Sequence, residues 1–428
     1  MLYRSVIMAA DEKQEVFRQS RFLLKAADRP LIDWALDAAK TAGAENCTVV
    51  TGARGDAIKA HLGDAADYAT ANDAFSIASV LDGIPKGQTG RVLVLFGDRP
   101  TLTGETLRAA LTVHEKKQCV ATVICAAKTG GFTETEMEVA SCAAAYLFDI
   151  GALRRICRDA AQSAKAECPF AAAVQHLLQN GEAAEIYPAD QEEGIAVTDR
   201  ILFAKADAIL NRRTVHELMR RGAIVLNPDS VRAAYGATVG MDTVIYPGTI
   251  LEGETEIGEA CVIGPNTRLK NAKVGDRTEI QSSVVLDSKI GADTSVGPFA
   301  YIRPGSVIGS GNKVGDFVEV KNATIGDGTK IAHLTYVGDA DVGERVNFGC
   351  GTVVVNYDGI KKHRTVIEDD CFIGCNSNLV SPVTLRKGAY TAAGSTITDE
   401  VPEDALAIAR ARQVNKDGWV KKNRRKDS

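Results

Sequence analysis

The chain has 428 residues, enough for two or three domains of about 150 residues each. Hydrophobic residues make up 45% of it and charged residues 25%, a globular composition that excludes a wholly disordered or fibrous protein. The formal net charge of −5 gives no general basic surface, so nucleic acid is not an expected partner. The sequence contains neither an apolar run of membrane-spanning length nor a signal peptide, and we therefore expect a cytoplasmic protein.

The spacing of the cysteines is typical neither of a disulfide framework nor of a zinc site. There are 10 of them, and the closest pair, Cys371 and Cys375, has no histidine at zinc-ligand spacing. Reduced thiols in a reducing compartment are the expected state.

The first 200 residues alternate short β-rich runs with helical ones, a pattern typical of an α/β domain with a mostly parallel sheet. The predicted strands are Ser5 to Met8, Cys47 to Thr51, Arg91 to Phe96 and Cys119 to Cys125. Ligands bind such sheets beyond the carboxyl ends of the strands, here near Ala9 and Gly97. We predict a domain over 1–203, a linker helix over 204–222 that ends before Gly222, and a second domain over 223–428.

In the second domain, aliphatic residues recur every six positions. The run Ile290, Val296, Ile302, Ile308, Val314 and Val320 keeps this step without a slip. A strict hexad indicates a parallel β-helix, in which each short strand contributes one side chain to a stacked interior. The segment Asn356 to Arg364 interrupts the repeat and predicts a loop that leaves the solenoid. Because solenoids packed side by side form grooves between chains, we expect a homotrimer with sites at subunit interfaces.

The sequence from Ile302 to Gly359, which contains IRPGSVIG, KIAHLTYVGDA and VVNYDG, closely resembles the acetyltransferase domain of a known bifunctional family. Members of that family are UDP-N-acetylglucosamine pyrophosphorylases and glucosamine-1-phosphate N-acetyltransferases in one chain. The resemblance covers residue 225 to Trp419 and, more faintly, the first half. It implies a left-handed parallel β-helix after a nucleotidyltransferase-like, Rossmann-like domain, and acetyl transfer from acetyl-CoA to glucosamine-1-phosphate for cell-wall precursors.

The resemblance also implies the catalytic pair. His333 matches the family's general base, and an imidazole titrates in the range needed to deprotonate an aminosugar. Glu319 matches the carboxylate that would orient and polarise the imidazole. For a single histidine read without this motif, a structural role is the more frequent one.

Further positions match the family's substrate contacts. Arg303 and Lys321 match its phosphate-binding pair, in keeping with the preference of phosphate for fixed cations. The remaining matches to sugar-phosphate contacts are Tyr336, Asn347, Asn356, Tyr357 and Lys362.

For acetyl-CoA, the matching positions are Cys350, Cys375, Ala393 and Arg410. The family commonly has alanine at the first position and serine at the second, so both cysteines are departures, although small ones. Donor binding survives this change if backbone groups make the contacts. A nucleophilic role for Cys350 or Cys375 is disfavoured because the sequence offers no triad.

The first half lacks what nucleotidyl transfer needs. In place of the family's glycine-rich, basic phosphate loop stands MAADEKQEVFRQSRF, which brings Asp11, Glu12 and Glu15 toward the triphosphate, and Arg21 falls near the lysine position. Asp98 matches a magnesium ligand, but its asparagine partner is replaced by Thr198. We therefore expect the uridylyl transfer to be lost, with Mg²⁺ needed only if this site still works.

Two alternatives stay open. The chain is a fully bifunctional enzyme if a rebuilt loop still carries uridylyl transfer, or a structural or regulatory trimer if it has no chemistry at all. A zinc enzyme on the same solenoid fails on ligand count, since His333 and His363 are the only histidines in this region.

Overall fold

The computed structural model describes residues 3–10, 20–52, 55–71, 77–126, 143–160 and 169–424. The chain forms two compact units that divide between Thr214 and Val215, inside the segment 204–222 that the sequence assigns to a linker. The loop carrying Asp11, Glu12 and Glu15 lies outside the described residues. Within the described ranges, no helix has the length and apolar character that a membrane crossing requires.

The N-terminal unit is built on one seven-stranded sheet. The described strands of the unit, seven in this sheet and two in a separate pair, are β1 Tyr3–Ala9, β2 Lys25–Ala26, β3 Arg29–Pro30, β4 Asn46–Thr51, β5 Asp67–Thr70, β6 Arg91–Phe96, β7 Ala121–Ala126, β8 Ala143–Asp149 and β9 Ala184–Ala189. The sheet order is β5-β4-β1-β6-β8-β7-β9, and β2 and β3 form a separate antiparallel pair. Strand β8 runs antiparallel to β6 and β7, whereas the other neighbours are parallel.

Helices cover both faces of this sheet, as expected for the α/β class. They are α1 Leu31–Ala42, α2 Asp56–Leu62, α3 Ile77–Asp82, α4 Gly104–Lys116, α5 Ile150–Ala160 and α6 Pro169–Gln179, with 3₁₀ turns at Arg21–Leu23, Gly63–Ala65 and Gln191–Gly194. Side chains of β1 alternate between two hydrophobic cores: Ile7 belongs to one, Val6 and Met8 to the other. Such strands, buried on both faces, are typical of parallel sheets.

Helix α7, Arg200–Arg220, spans the division between the units. It begins at Arg200 rather than at the predicted Ala204, because the Asp199 carboxylate accepts hydrogen bonds from the backbone nitrogens of Ile201 and Leu202 at 2.8 Å and caps the first turn. Gly222, with φ of 107°, follows the helix and supplies the left-handed residue that ends it.

The C-terminal unit is a left-handed parallel β-helix with three faces, as predicted. Its first face contains β10 Ile224–Val225, β13 Val244–Ile245, β16 Val262–Ile263, β19 Glu279–Ile280, β22 Ser295–Val296, β25 Lys313–Asp316, β28 Lys330–His333, β31 Asn347–Phe348, β34 Phe372–Ile373, β37 Tyr390–Thr391 and β39 Leu406–Ala407. Its second face contains β11 Arg232–Ala233, β14 Ile250–Glu252, β17 Arg268–Lys270, β20 Val284–Leu286, β23 Tyr301–Ile302, β26 Glu319–Lys321, β29 Tyr336–Gly338, β32 Val353–Val355, β35 Asn378–Val380 and β38 Thr396–Ile397. Its third face contains β12 Thr238–Val239, β15 Glu256–Ile257, β18 Lys273–Val274, β21 Lys289–Ile290, β24 Val307–Ile308, β27 Thr324–Ile325, β30 Ala340–Val342, β33 Thr365–Ile367 and β36 Thr384–Leu385. A 3₁₀ turn, Pro228–Ser230, lies near its start, and a short helix α8, Trp419–Asn423, near its end.

The predicted hexad residues form the interior of this β-helix. Each strand turns one side chain inward, as Ile302 and Val320 do at paired positions of β23 and β26, where both are fully buried. Ladders of this kind form one continuous hydrophobic core through the unit. Successive coils are spaced by about 4.8 Å, the distance between hydrogen-bonded strands. Side chains at equivalent positions of neighbouring coils therefore lie in columns.

The predicted excursion loop also forms. It lies between β32 and β33, while β33 still pairs with β30 of the coil before it, so the ladder resumes in register. The guanidinium of Arg364 holds the end of the loop through Asp341 and the backbone oxygens of Ala340 and Asn322.

Candidate functional site

The turn between the first and second faces, called here the first corner, carries the histidine. His333 ends β28 and is the register partner of Asp316, which ends β25. Their side chains meet, with 2.6 Å between Nδ1 of His333 and Oδ1 of Asp316, and both remain partly exposed. The hydrogen bond from His333 lowers the pKa of Asp316, as does a backbone contact of the aspartate. An ionised carboxylate at Nδ1 favours a proton on that nitrogen and a lone pair on Nε2.

The sequence predicted Glu319 as the carboxylate that orients this imidazole; in the structure Asp316 makes the contact, and the role of Glu319 stays a prediction. Glu319 lies on the second face in register with Tyr336, and its Oε1 accepts a hydrogen bond from Arg303 Nη1 at 2.8 Å. This bond to Glu319 raises the pKa of Arg303. The carboxylate in contact with His333 is Asp316, because it occupies the same corner position one coil earlier.

Three cations gather at the turn between the second and third faces, called here the second corner. Arg303 directly follows β23, and Lys321 is the last residue of β26 on the next coil. Lys362 reaches the same place from the excursion loop. A hydrogen bond with Lys362 raises the pKa of Lys321, while the adjoining Lys321 ammonium lowers the pKa of Lys362, with a weaker contribution from Arg303. Positive charges held this close form a site suited to an anion such as phosphate.

A buried carboxylate, Asp339, organises this corner. It accepts hydrogen bonds from Lys321 Nζ at 3.1 Å, from Asn322 Nδ2 at 2.6 Å and from Asn356 Nδ2. Burial acts to raise the pKa of Asp339, but the donors from Asn322, Lys321 and Asn356 outweigh it and hold the pKa below its usual value. The amide of Asn356 also lies 3.4 Å from the hydroxyl of Tyr336. Through its contacts with Asn356 and Lys321, Asp339 joins the start of the loop to the second face.

The predicted loop residues are held by local contacts. Tyr357 and Lys362 form an isolated antiparallel bridge, and the Tyr357 hydroxyl donates to the Gly359 carbonyl at 2.7 Å. His363 contacts Asp358 at 2.6 Å. Backbone hydrogen bonds from Lys361, then the His363 contact, lower the pKa of Asp358 to about 2. The loop therefore presents Tyr357 and Lys362 from a structured turn.

The positions predicted for acetyl-CoA continue the column that contains His333. Cys350, Cys375 and Ala393 each stand two residues after the buried residue of a first-face strand, as His333 stands two residues after Ile331. The carbonyls of Cys350 and Cys375 accept backbone hydrogen bonds at 2.8 Å from Asn376 and Gly394. We call Asp316, His333, Cys350, Cys375 and Ala393 the corner column.

The far end of the corner column meets the last predicted donor residue. The Cδ of Arg410 would lie 3.7 Å from a Cβ placed on Gly394, the residue after Ala393. Asn347 lies on the first face, where β31 pairs with β28 and β34. The corner column runs for about 19 Å, four coil steps of about 4.8 Å. Its three small residues are partly exposed at Cys350 and exposed at Cys375 and Ala393.

Two carboxylates of this site, Asp316 and Asp339, were missed from the sequence. Their contacts with His333 and Asn356 each span 17 residues, one coil of the β-helix. A search for polar residues one coil apart would have found both.

The predicted magnesium ligand, Asp98, lies in the N-terminal unit, just after β6. It is 6% exposed, and its Oδ2 lies 3.3 Å from Nη2 of Arg21. The Asp98 carbonyl accepts a hydrogen bond from Val197, which brings Thr198 near. One carboxylate already paired with a guanidinium, beside an uncharged hydroxyl, does not fit a divalent cation. Over the described part of the chain, no three His, Cys, Asp or Glu side chains gather as metal ligands would.

Replacing Asp339 with alanine should destabilise the protein by about 3 kcal/mol, because it leaves a mostly buried ammonium and two amides without their acceptor. Denaturant unfolding of the full chain measures the change. Asp341→Ala is the matched control: its ion pair with Arg364 is exposed, and its loss should cost less than about 1 kcal/mol. Equal losses in the two variants would contradict the organising role of Asp339.

Comparison with known proteins identifies both halves. Residues 6–236 match the model of the MobA-like NTP transferase domain, and residues 287–322 match the bacterial transferase hexapeptide model of six repeats. The chain is 39% identical to the bifunctional protein GlmU of Halalkalibacterium halodurans, over 98% of each chain. It is 40% identical to that of Acetivibrio thermocellus, over 97% of this chain and 96% of the relative. The chain therefore belongs to the bifunctional GlmU family and is an acetyl-CoA-dependent acetyltransferase of the hexapeptide-repeat type.

Proposed function

We propose that the enzyme transfers the acetyl group of acetyl-CoA to the amine of glucosamine-1-phosphate, in the synthesis of UDP-N-acetylglucosamine for the cell wall. The observation that carries the proposal is the partly exposed imidazole of His333, with a carboxylate on Nδ1 and Nε2 left for substrate. Nε2 takes a proton from the substrate ammonium. The amine nitrogen then attacks the thioester carbonyl, the carbon–sulfur bond breaks, and coenzyme A leaves as its thiol. The sulfur takes the second proton lost by the nitrogen, and the proton on His333 passes to solvent.

The second corner supports a phosphorylated sugar as the acceptor. Arg303, Lys321 and Lys362 would bind the phosphate dianion, with the guanidinium contributing paired donors and the ammoniums point charges. Tyr336, Asn356 and Tyr357 would then contact the sugar between phosphate and base, with Asn347 at the adjoining face.

The corner column supports the position of the donor. Its small side chains would accept the extended arm of acetyl-CoA, with the backbone at Cys350, Cys375 and Ala393 lining it and Arg410 pairing with the coenzyme phosphates. Cysteine in place of the family's common alanine and serine keeps these side chains small.

Substitution of His333 by alanine should lower turnover by about a hundredfold or more, since a general base contributes at least that much. The assay follows thiol release from acetyl-CoA with glucosamine-1-phosphate as acceptor, and mass spectrometry of the product. His61→Ala, an exposed histidine of the N-terminal unit, is the control and should leave turnover unchanged. Undiminished turnover in His333→Ala removes the imidazole from the mechanism. Absence of thiol release in the unmodified protein would favour a structural trimer.

We also propose a homotrimer, supported by an exposed apolar ladder at the first corner. Phe299, Phe317 and Leu334 occupy one position on successive coils, each is more than half exposed, and the two phenylalanine rings stack at 5.5 Å. All three have φ between 47° and 60°, a region unfavourable for bulky residues. Equivalent turns elsewhere use Asn266, Gly351, Asn376 and Gly394. Large apolar side chains held there at a conformational cost indicate a contact with further copies of the chain, beside His333.

Changing Phe317 to aspartate should dissociate the assembly and lower acetyl transfer, because a carboxylate would have to be desolvated in the interface. Light scattering gives the mass of the particle, expected at three chains for the parent protein. Ile201→Asp, at a more exposed apolar residue of α7, is the control and should remain trimeric. A trimeric Phe317→Asp, or a fully active single chain, would contradict a shared site.

We further propose that uridylyl transfer has been lost. The ion pair of Asp98 with Arg21 neutralises the carboxylate that would bind Mg²⁺, and the adjoining sequence brings carboxylates where the family has glycines and a basic residue. The rival is a fully bifunctional enzyme, with Mg²⁺ as its second cofactor. The free thiols of the described cysteines support a reducing, cytoplasmic compartment for either.

A coupled phosphate assay separates the two. With UTP, N-acetylglucosamine-1-phosphate and Mg²⁺, the protein should release no more pyrophosphate than a sample lacking the sugar phosphate, while the same preparation acetylates glucosamine-1-phosphate. Magnesium-dependent turnover would establish the bifunctional alternative.

A further inference from the structure

Asp316 occupies the corner column directly before His333. The two residues pair in register at the ends of β25 and β28, and their side chains are in contact at 2.6 Å. We propose that Asp316 is the positioning residue of the acetyl-transfer reaction: it holds the His333 ring with Nε2 toward the acceptor amine and stabilises the imidazolium formed when that amine is deprotonated. This inference rests on the proposed function of His333.

The backbone is built to make this contact. Strands β25 and β28 each have four residues, whereas the other strands of the first face have two, so pairing continues into the corner only in these two coils. Gly315 makes the close approach possible: a Cβ on it would lie 1.9 Å from the Ala332 carbonyl oxygen. The extended pairing fixes Asp316 and His333 side by side, one coil step of about 4.8 Å apart along the backbone.

Asp316 is also the carboxylate that contacts the ring in the described part of the chain. Within residues 169–424, it is the only carboxylate that hydrogen-bonds His333. Glu319 instead contacts Arg303 on the second face. The other charged or titratable groups on the strands packed around His333 are Lys313, Lys330, Glu319, Lys321, Tyr336 and Cys350.

These surroundings define what Asp316 does electrostatically. Lys313, on the same strand, also acts to lower the pKa of Asp316. The lowered pKa of Asp316, caused first by its hydrogen bond with His333, keeps the carboxylate ionised throughout the range in which an imidazole titrates. An adjacent anion favours a proton on the ring nitrogen that faces it, so losing Asp316 should release the tautomer of His333.

The test compares Asp316→Asn with Glu319→Gln and with Asp33→Asn, a matched change at the other aspartate–histidine contact, where Asp33 lies 2.9 Å from His61. Two readouts are used on the full-length protein. NMR of the imidazole nitrogens gives the tautomer of His333, with its signal assigned by its disappearance in His333→Gln. The pH dependence of kcat/KM for acetyl transfer gives the ionisation that controls the reaction.

In Asp316→Asn, the ring of His333 should lose its preference for a proton on Nδ1, the acidic limb of the kcat/KM profile should move to lower pH, and kcat at neutral pH should drop about tenfold. Asp33→Asn should change none of these. Glu319→Gln should leave the tautomer of His333 in place.

An unmodified protein that transfers no acetyl group overturns the proposed function and this inference with it. An active parent enzyme in which Asp316→Asn leaves the tautomer of His333 and the pH profile unchanged overturns this inference alone. So does a change in Glu319→Gln that equals the change in Asp316→Asn.

Discussion

Hydrogen bonding between successive coils is the constraint on which the acetyltransferase unit depends. It fixes equivalent residues about 4.8 Å apart, so inward positions stack into the hydrophobic core and outward positions stack into columns. The same register that buries Ile302 on Val320 brings Asp316 to His333 and Lys321 to Asp339. Functional groups are thereby placed by backbone pairing, and the site inherits the rigidity of the ladder.

The two corners divide the chemistry between them. The first carries one carboxylate, which stays ionised, and one imidazole, which accepts the proton of the reaction. The second carries cations whose charges are partly balanced by Glu319 and by the buried Asp339. Because Asp339 and Asn356 join the loop to the second face, the cations are positioned before substrate arrives, which lowers the entropic cost of binding a phosphate. In the N-terminal unit, by contrast, Arg21 and Asp98 satisfy each other.

Hexad spacing was sufficient to predict the β-helix, its interior residues and the excursion loop, since each aliphatic position is dictated by one strand. The alternation of strands and helices likewise predicted the α/β unit, but it did not reveal that β8 enters the sheet antiparallel. Residue roles were predicted only through a family resemblance. That route assigned Glu319 to the imidazole and gave no sign of the contact with Asp316, which depends on the length of the coil.

The excursion loop shows how this architecture tolerates added chain. Equivalent contacts span 17 residues in most coils and 25 across the loop, as between Glu344 and Asp369, yet pairing on either side is unchanged. Loop closure becomes only slowly more costly with length, so residues can be inserted or removed at a corner without refolding the core. The preference for an acceptor and the stability of the core can consequently evolve independently in such enzymes, because a loop can change while the β-helix that carries it does not.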